Sequence, residues 1–363
     1  MLDRIEDAIE DIKKGKLIIV VDDEDRENEG DFIAAAETIT PEHINFMATV
    51  GRGLICAPIE EKRADELHLP LMVRTNTSLH ETAFTISVDL IGNGCSTGIS
   101  TFDRAMTIKA LADQKFQTDD FARPGHIFPL RAKSGGVLRR SGHTEAAIDL
   151  ARMAGLSPTG ALVEILHEDG SMARLSYLET KAKDWGLKLI SIKDLVEYRL
   201  QHEKLIKQVQ QAKIEFFGKP FLLSVFKEID QEVYHLAIQY GELNLGPSLI
   251  RVQQYFGISD SLDLMIYSDQ SALMRPLKKM IEHGCGVLVL LGSTSVTPNP
   301  LFRLSSKDTI ISKPSTHDPR DIGIGSQILQ ELGAKEIHVL SSQAQKLKGL
   351  QGFGINVLSH QAF

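Results

Sequence analysis

Seven carboxylates fall within the ten positions Asp22–Asp31, DDEDRENEGD, directly after the apolar run Leu17–Val21. A charge block by itself is commonly a solvated loop. Here donors are interleaved with the acids, at Arg26 and Asn28, and Gly30 permits a tight turn. Clustered hard oxygens of this kind suit magnesium or manganese, held through one or two carboxylates with water and substrate completing the shell. An EF-hand is excluded, because Glu27 and Glu29 stand where that loop takes Asp or Asn, and Ala36 stands where its bidentate Glu belongs.

Other chemistry-bearing residues lie far along the chain. In RPGHIFPLRAK, His126 is placed at a turn entering an apolar strand, where a lone histidine is structural or catalytic depending on its partners. In GGVLRRSGHTEAAIDLARMAG, two arginines precede Ser141, Gly142, His143 and Thr144 at a helix start. Arg140 with the free amides of that start makes a phosphate seat, while Ser141 or Thr144 serves as N-cap. His143 is then a solvated first-turn residue or, with an acid from the first loop, a metal ligand. Glu164 interrupts the apolar run ALVEIL, and a buried carboxylate without a partner points to a tuned acid or base. The loop GNGCSTGIST is a plain loop or an oxyanion seat, since it lacks the spacing of a phosphate-binding loop.

These groups need a scaffold. Leu2, Ile5, Ile9 and Ile12 recur at helical spacing, Leu17–Val21 reads as a buried strand, and Thr40-Pro41-Glu42 opens a helix. Gly53–Ile59 reads as a strand with Cys56 as a small buried hydrophobe. Residues 80–90 read as a half-buried strand with Phe84, Ile86 and Val88 on one face. A long helix is expected from Ser191 to about Lys207, followed by QVQQAKIEFFGKP as a junction to a second unit of alternating strands and helices. With 363 residues, two domains are expected. The net charge of -8 disfavours a nucleic-acid partner, three scattered cysteines give no disulfide framework, and the apolar runs are too short to span a bilayer. A cytoplasmic setting is expected.

The acidic loop, GISTFDR, RPGHIFPL, SGHTEAAIDL and the Glu164 strand together resemble 3,4-dihydroxy-2-butanone 4-phosphate synthase of riboflavin biosynthesis. The resemblance covers the N-terminal half and implies an α/β (α+β) fold, an N-terminal α/β sandwich over residues 1–203. It implies conversion of D-ribulose 5-phosphate to the four-carbon phosphate and formate, with Mg2+ or Mn2+ required and a homodimer as the assembly. Position by position, it implies that Glu27 and His143 bind the metal and that Arg26, Glu27 and Asp31 hold substrate. Arg140, Ser141, Gly142, His143 and Thr144 hold the phosphate end, and His126 and Glu164 are the essential acid/base groups, Glu164 also touching substrate. Cys56 and Asp103 fall near the site with roles left open.

Residues 204–363 resemble a smaller GTP cyclohydrolase II domain, most clearly in IEHGCGVLVL and DPRDIGIGSQILQELGAKEIHVLSS. That family's zinc site needs three cysteines after an Arg-Val pair, and Phe256, Tyr267 and Asp269 stand there instead. After Val287–Leu291 the chain reads GSTSVTPNP where an arginine-bearing catalytic segment is expected. Zinc and GTP hydrolysis are therefore not expected, and the domain is left as a dimerisation, stability or ligand-sensing module. The alternative is a bifunctional enzyme.

Overall fold

The computed structural model describes residues 2–23, 26–78, 82–229, 232–243, 245–292, 319–340 and 354–361, with the backbone alone at 258–259 and 319–322. The chain forms two compact units, Met1–Tyr198 and Arg199–Phe363.

In the first unit, α1 (Ile5–Lys13) buries Ile5, Ala8 and Ile12 along one face, and Gly15 at φ +78 turns the chain out of it. β1 (Ile18–Val21) is wholly buried and pairs antiparallel with β2 (Gly30–Ala35). The acidic stretch is thus the loop of a hairpin, and its final residues belong to the second strand. Among the described residues of that loop the left-handed one is Asn28, at φ 55, rather than the expected Gly30. Gly30 serves close packing instead, because a Cβ there would stand 2.3 Å from Leu178 Cδ1.

α2 (Pro41–Phe46) begins as expected, Thr40 accepting a hydrogen bond from His43 N. β3 (Cys56–Glu60) and α3 (Glu61–Glu66) follow. The strand expected over 80–90 is reduced to β4 (Val88–Leu90), and residues 80 and 81 lie outside the described residues. Thr85 and Ser87 are buried there while Phe84 and Ile86 are only partly so, since Thr85 satisfies itself on the Pro129 carbonyl from both its amide and its hydroxyl. α4 (Thr101–Ala112) is capped by Ser100, and β5 (Phe121–Ala132) carries His126 in its middle rather than at its entry. Then come α5 (His143–Met153), β6 (Gly160–Glu164), α6 (Leu175–Trp185), β7 (Leu189–Ser191) and α7 (Ile192–His202).

The seven strands form one mixed sheet in the order β4-β5-β3-β6-β2-β1-β7. Side chains alternate across a sheet, and both faces are used. Ile19, Val21, Phe32, Ala34, Ala57, Ala161 and Val163 join the apolar core on one face with residues of α2, α4 and α6. The other face carries Asp31, Ile33, Cys56, Leu162 and Glu164, tied by the pairings Asp31↔Glu164, Ile33↔Leu162 and Cys56↔Leu162. α5 packs on that face closely enough that a Cβ on Gly160 would stand 2.8 Å from the Ala147 Cβ.

The second unit holds β8 (Ile206–Phe216), β9 (Lys219–Glu228), β10 (Tyr234–Tyr240), β11 (Ser248–Gln254), α8 (Ile258–Tyr267), α9 (Met274–His283), β12 (Gly286–Leu291), α10 (Pro319–Glu331), β13 (Glu336–Leu340) and β14 (Asn356–Gln361). Its sheet runs β14-β13-β11-β12-β10-β9-β8, antiparallel from β8 to β12 and parallel beyond. Two expectations are corrected here. α7 ends at His202, and QVQQAKIEFFGKP is no linker but the hairpin of β8 and β9, turned by Phe217 and Gly218 in left-handed conformations. The segment GSTSVTPNP lies, from Ser293 onward, outside the described residues.

Candidate active site

Asp22, the first residue beyond β1, organises the acidic loop. Its Oδ1 accepts Glu29 N at 2.8 Å, and its Oδ2 accepts Glu27 N at 3.1 Å and Arg26 Nη1 at 2.8 Å. Its side chain is 1% exposed, so of the two sequence readings of Asp22, support for the loop or a solvated charge, the structure agrees with the first. Glu24 and Asp25 lie outside the described residues. Arg174, just before α6, donates from Nη1 to the carbonyls of Glu27 and Asn28 and closes the loop from the far side.

This loop brings Glu27 to His143. The Glu27 Oε2 lies 3.9 Å from His143 Nδ1 and 3.0 Å from Arg26 Nη1. His143 is buried at the start of α5, and its Nε2 stands 3.1 Å from the carbonyl oxygen of Val20 in β1. A carbonyl only accepts, so Nε2 carries the proton and Nδ1 faces the acids. Single ligand atoms from Asp22, Glu27 and His143 all lie within 4.8 Å of one another, the one such group of three among the described residues. A ring nitrogen fixed by a backbone carbonyl and aimed at two carboxylates is a donor set suited to a hard divalent cation.

Behind it, Asp31 is 3% exposed and lies opposite Glu164 across β2 and β6. Burial pushes the Asp31 carboxyl up to about 7; His143 opposes that, while Glu164, Glu29 and Glu27 add to it. His143 is held up at about 9, because Asp31, Glu27 and Asp22 outweigh the burial that would pull it down. Burial, followed by Glu27 and Glu164, also raises Glu29. The carboxyl most visibly tuned by the site is thus Asp31. Glu164 closes β6, half-buried, and its Oε2 accepts Leu54 N at 2.8 Å. Gly53 allows this approach, since a Cβ there would stand 2.5 Å from that oxygen. Cys56 shares the same sheet face, and burial with Glu164 and Asp31 raises its thiol well above the ordinary range, keeping it protonated.

Two guanidinium groups meet at the start of α5. A Cβ on Gly142 would stand 2.4 Å from Arg140 Nη1 and 3.1 Å from Arg26 Nη2. Arg140 is steadied by Glu145 Oε2 at 2.8 Å, and Glu145 Oε1 accepts Lys133 N at 2.9 Å. The N-cap is Gly142 with no side-chain cap, which corrects the expectation that Ser141 or Thr144 would cap; Ser141 Oγ instead donates to the Val137 carbonyl at 3.5 Å, and Thr144 is buried in the first turn. The first amides of the helix are left for an anion.

The structure therefore joins Arg26, Glu27, Asp31, Arg140, Gly142, His143 and Glu164 into one neighbourhood. His126 is held separately, on β5, by Asp89 of β4, with Nδ1 to Oδ2 at 2.7 Å. Asp103 organises the glycine-rich loop, its Oδ2 accepting Ser96 Oγ and Gly98 N, each at 2.9 Å. Sequence reasoning missed Asp22 as the loop's centre, Arg174 as its clasp and Asp89 as the partner of His126. Asp89 alone carried a readable signal, a carboxylate within the apolar strand SVDL comparable to Glu164 in ALVEIL.

Known proteins share this architecture. A two-domain 3,4-dihydroxy-2-butanone 4-phosphate synthase from A. baumannii, called RibBX, superposes with a TM-score of 0.82 at 37% identity over 99% of this chain and 100% of that one. A 3,4-dihydroxy-2-butanone 4-phosphate synthase structure in complex with two magnesium ions matches with a TM-score of 0.53 at 41% identity, covering 55% of this chain and 98% of that one. The riboflavin biosynthesis protein RibBA of Chlorobium phaeovibrioides is 46% identical over 368 residues, covering 98% of this chain and 90% of the relative. Fold and relatives define an enzyme of riboflavin biosynthesis. The family model for 3,4-dihydroxy-2-butanone 4-phosphate synthase matches residues 6–198, that for GTP cyclohydrolase II matches residues 206–362, and the chain belongs to the 3,4-dihydroxy-2-butanone 4-phosphate synthase family.

Proposed function

We propose that residues 1–203 form the synthase domain, acting on D-ribulose 5-phosphate, with Glu27 and His143 holding Mg2+ or Mn2+ and Asp22 shaping the loop that presents them. The observation that carries this is the clustering of Asp22, Glu27 and His143 ligand atoms within 4.8 Å. When bound, the cation supplies Lewis-acid polarisation of substrate oxygens. Arg26 and Arg140, converging on Gly142, seat the phosphate with the uncapped amides of His143 and Thr144, the Gly142 amide being engaged by the Arg140 carbonyl at 2.7 Å. Asp31 and Glu164 hold the hydroxyl side of the sugar phosphate. Glu164, Asp31 and His126 exchange the protons that enolisation, dehydration, the skeletal shift and formate loss require. Exposed Leu71, Met72, Ile91, Ile99 and Phe102 favour a homodimer of this domain. Among the described residues no helix is long and apolar enough to cross a membrane, and we take the setting to be cytoplasmic.

Residues 204–363 we read as a cyclohydrolase-like domain without GTP turnover, because Phe256, Tyr267 and Asp269 occupy the expected thiolate positions and Asp269 is ion-paired to Lys278 Nζ at 2.6 Å. The second reading, a bifunctional enzyme, is favoured by the family match over 206–362. One experiment addresses both domains. The intact chain with D-ribulose 5-phosphate and magnesium should release formate, and a chelator should stop it. The same sample should contain no stoichiometric zinc and leave GTP unchanged. Formate release that survives chelation would overturn the metal site, and GTP turnover would establish the second reading.

A further inference from the structure

Asp89 grips His126 at two points. Its Oδ1 accepts the His126 backbone N–H at 2.8 Å, and its Oδ2 lies 2.7 Å from the ring Nδ1. A carboxylate accepts and does not donate, so Nδ1 carries the proton and, in the neutral ring, Nε2 keeps its lone pair. The Asp89 side chain is 13% exposed and the ring 44%, so the orienting group is the more enclosed of the two while the imidazole remains open to solvent.

The surroundings leave the pair little room to rearrange. β4 meets β5 through an irregularity in which Val88 pairs with Ile127 and Asp89 with Ala122, so that Arg123, Pro124, Gly125 and His126 bulge out of register. Bulges of this kind re-aim side chains. Gly125 fits only as glycine, since a Cβ there would stand 2.0 Å from the Val88 carbonyl carbon. From the other side Gly98, at φ +92, lies so close that its Cβ would meet Asp89 Oδ2 at 2.0 Å and His126 Nδ1 at 2.7 Å. Gly98 is tied down in turn by Asp103.

We propose that Asp89 is a positioning residue for the synthase reaction, fixing His126 as the Nδ1–H tautomer with Nε2 outward as the proton-accepting atom, while Gly98, anchored by Asp103, locks the pair. This rests on the reading of His126 as an acid/base group. When Nε2 takes a proton from a substrate C–H or O–H bond, that bond's electron pair stays with the substrate. The imidazolium charge is balanced by the Asp89 carboxylate, and the same proton leaves from Nε2 in a later step.

The test uses the intact chain at saturating magnesium. Asp89→Asn presents a neutral amide to Nδ1 and should lower kcat by about 100-fold or more, the direction seen when the orienting carboxylate of a serine-protease triad becomes an amide. KM for D-ribulose 5-phosphate should change by less than about threefold, since Asp89 orients a proton-transfer group and binds no substrate. Nitrogen NMR of the His126 ring should show the Nδ1–H tautomer in the unmodified chain and its loss in the variant. If His126→Gln retains turnover, the acid/base reading falls and takes the proposal with it. If His126→Gln is inactive while Asp89→Asn keeps kcat within about threefold, Asp89 alone is overturned. Should Asp89→Asn fail to fold, the tautomer in the unmodified chain decides, and an Nε2–H ring refutes the proposal.

Discussion

The two nitrogens of His143 have different tasks. Nε2 is committed to the Val20 carbonyl at 3.1 Å, which fixes the ring plane and leaves Nδ1 toward Glu27. A histidine held this way gives a cation site its direction, and an acid on a loop supplies its charge. His143→Ala and Glu27→Gln should each weaken magnesium binding by more than about 100-fold, beyond what loss of an outer partner usually costs. Calorimetric titration of magnesium into each variant checks this without relying on turnover, and affinity within a few-fold of the unmodified chain would remove that residue from the site. The parts of these assignments that were legible before the structure rested on combined motifs, since one acid among seven could not be chosen from the loop itself. Asp31 shows why. Its high proton affinity arises first from burial on the sheet face that α5 covers and then from a register that sets it opposite Glu164. Neither is written in a local pattern.

At the scale of elements, the β1–β2 hairpin loop is held at both ends, by Asp22 from within and by Arg174 from before α6. Arg174→Ala removes only the outer clasp. It should lower magnesium affinity by about 10- to 100-fold, as loss of outer-shell partners does, and shift the melting temperature little because Arg174 is exposed. Unchanged affinity would mean that Asp22 alone suffices to shape the loop. Helices with an apolar stripe and strands buried on both faces were readable from sequence, as α1 and β1 show. β8 was not, because most of its residues are exposed on an edge strand and its sequence therefore lacks the alternation that marks a half-buried strand. The bulge that re-aims His126 was hidden for another reason: it is a mismatch between two strands, β4 and β5, rather than a property of either.

At the scale of the whole molecule, buried titratable groups tie stability to pH. Asp31 and His143 both have proton affinities raised by folding, to about 7 and about 9. A raised group contributes stability that is present below its unfolded value and lost as pH climbs through its folded value. With cations chelated, stability should therefore decline from about pH 4 to pH 7 through Asp31 and from about pH 6.5 to pH 9 through His143, at most about 1.4 kcal/mol per pH unit for each proton. His43, held below the ordinary histidine value by burial, acts in the opposite sense and offsets part of this. Urea denaturation at several pH values in chelator should show the decline, Asp31→Asn should flatten its lower half, and magnesium should reverse the upper half. Stability that rises steadily from pH 5 to pH 9 in chelator would contradict the assignment. The clasp of Arg174 on the acidic loop spans 147 positions of the chain, and the His143 ring reaches back 123 positions to Val20. Closing such distant contacts costs loop entropy that local pairings do not. A growing polypeptide thus cannot complete the proposed cation pocket until the chain up to Arg174 has emerged from the ribosome.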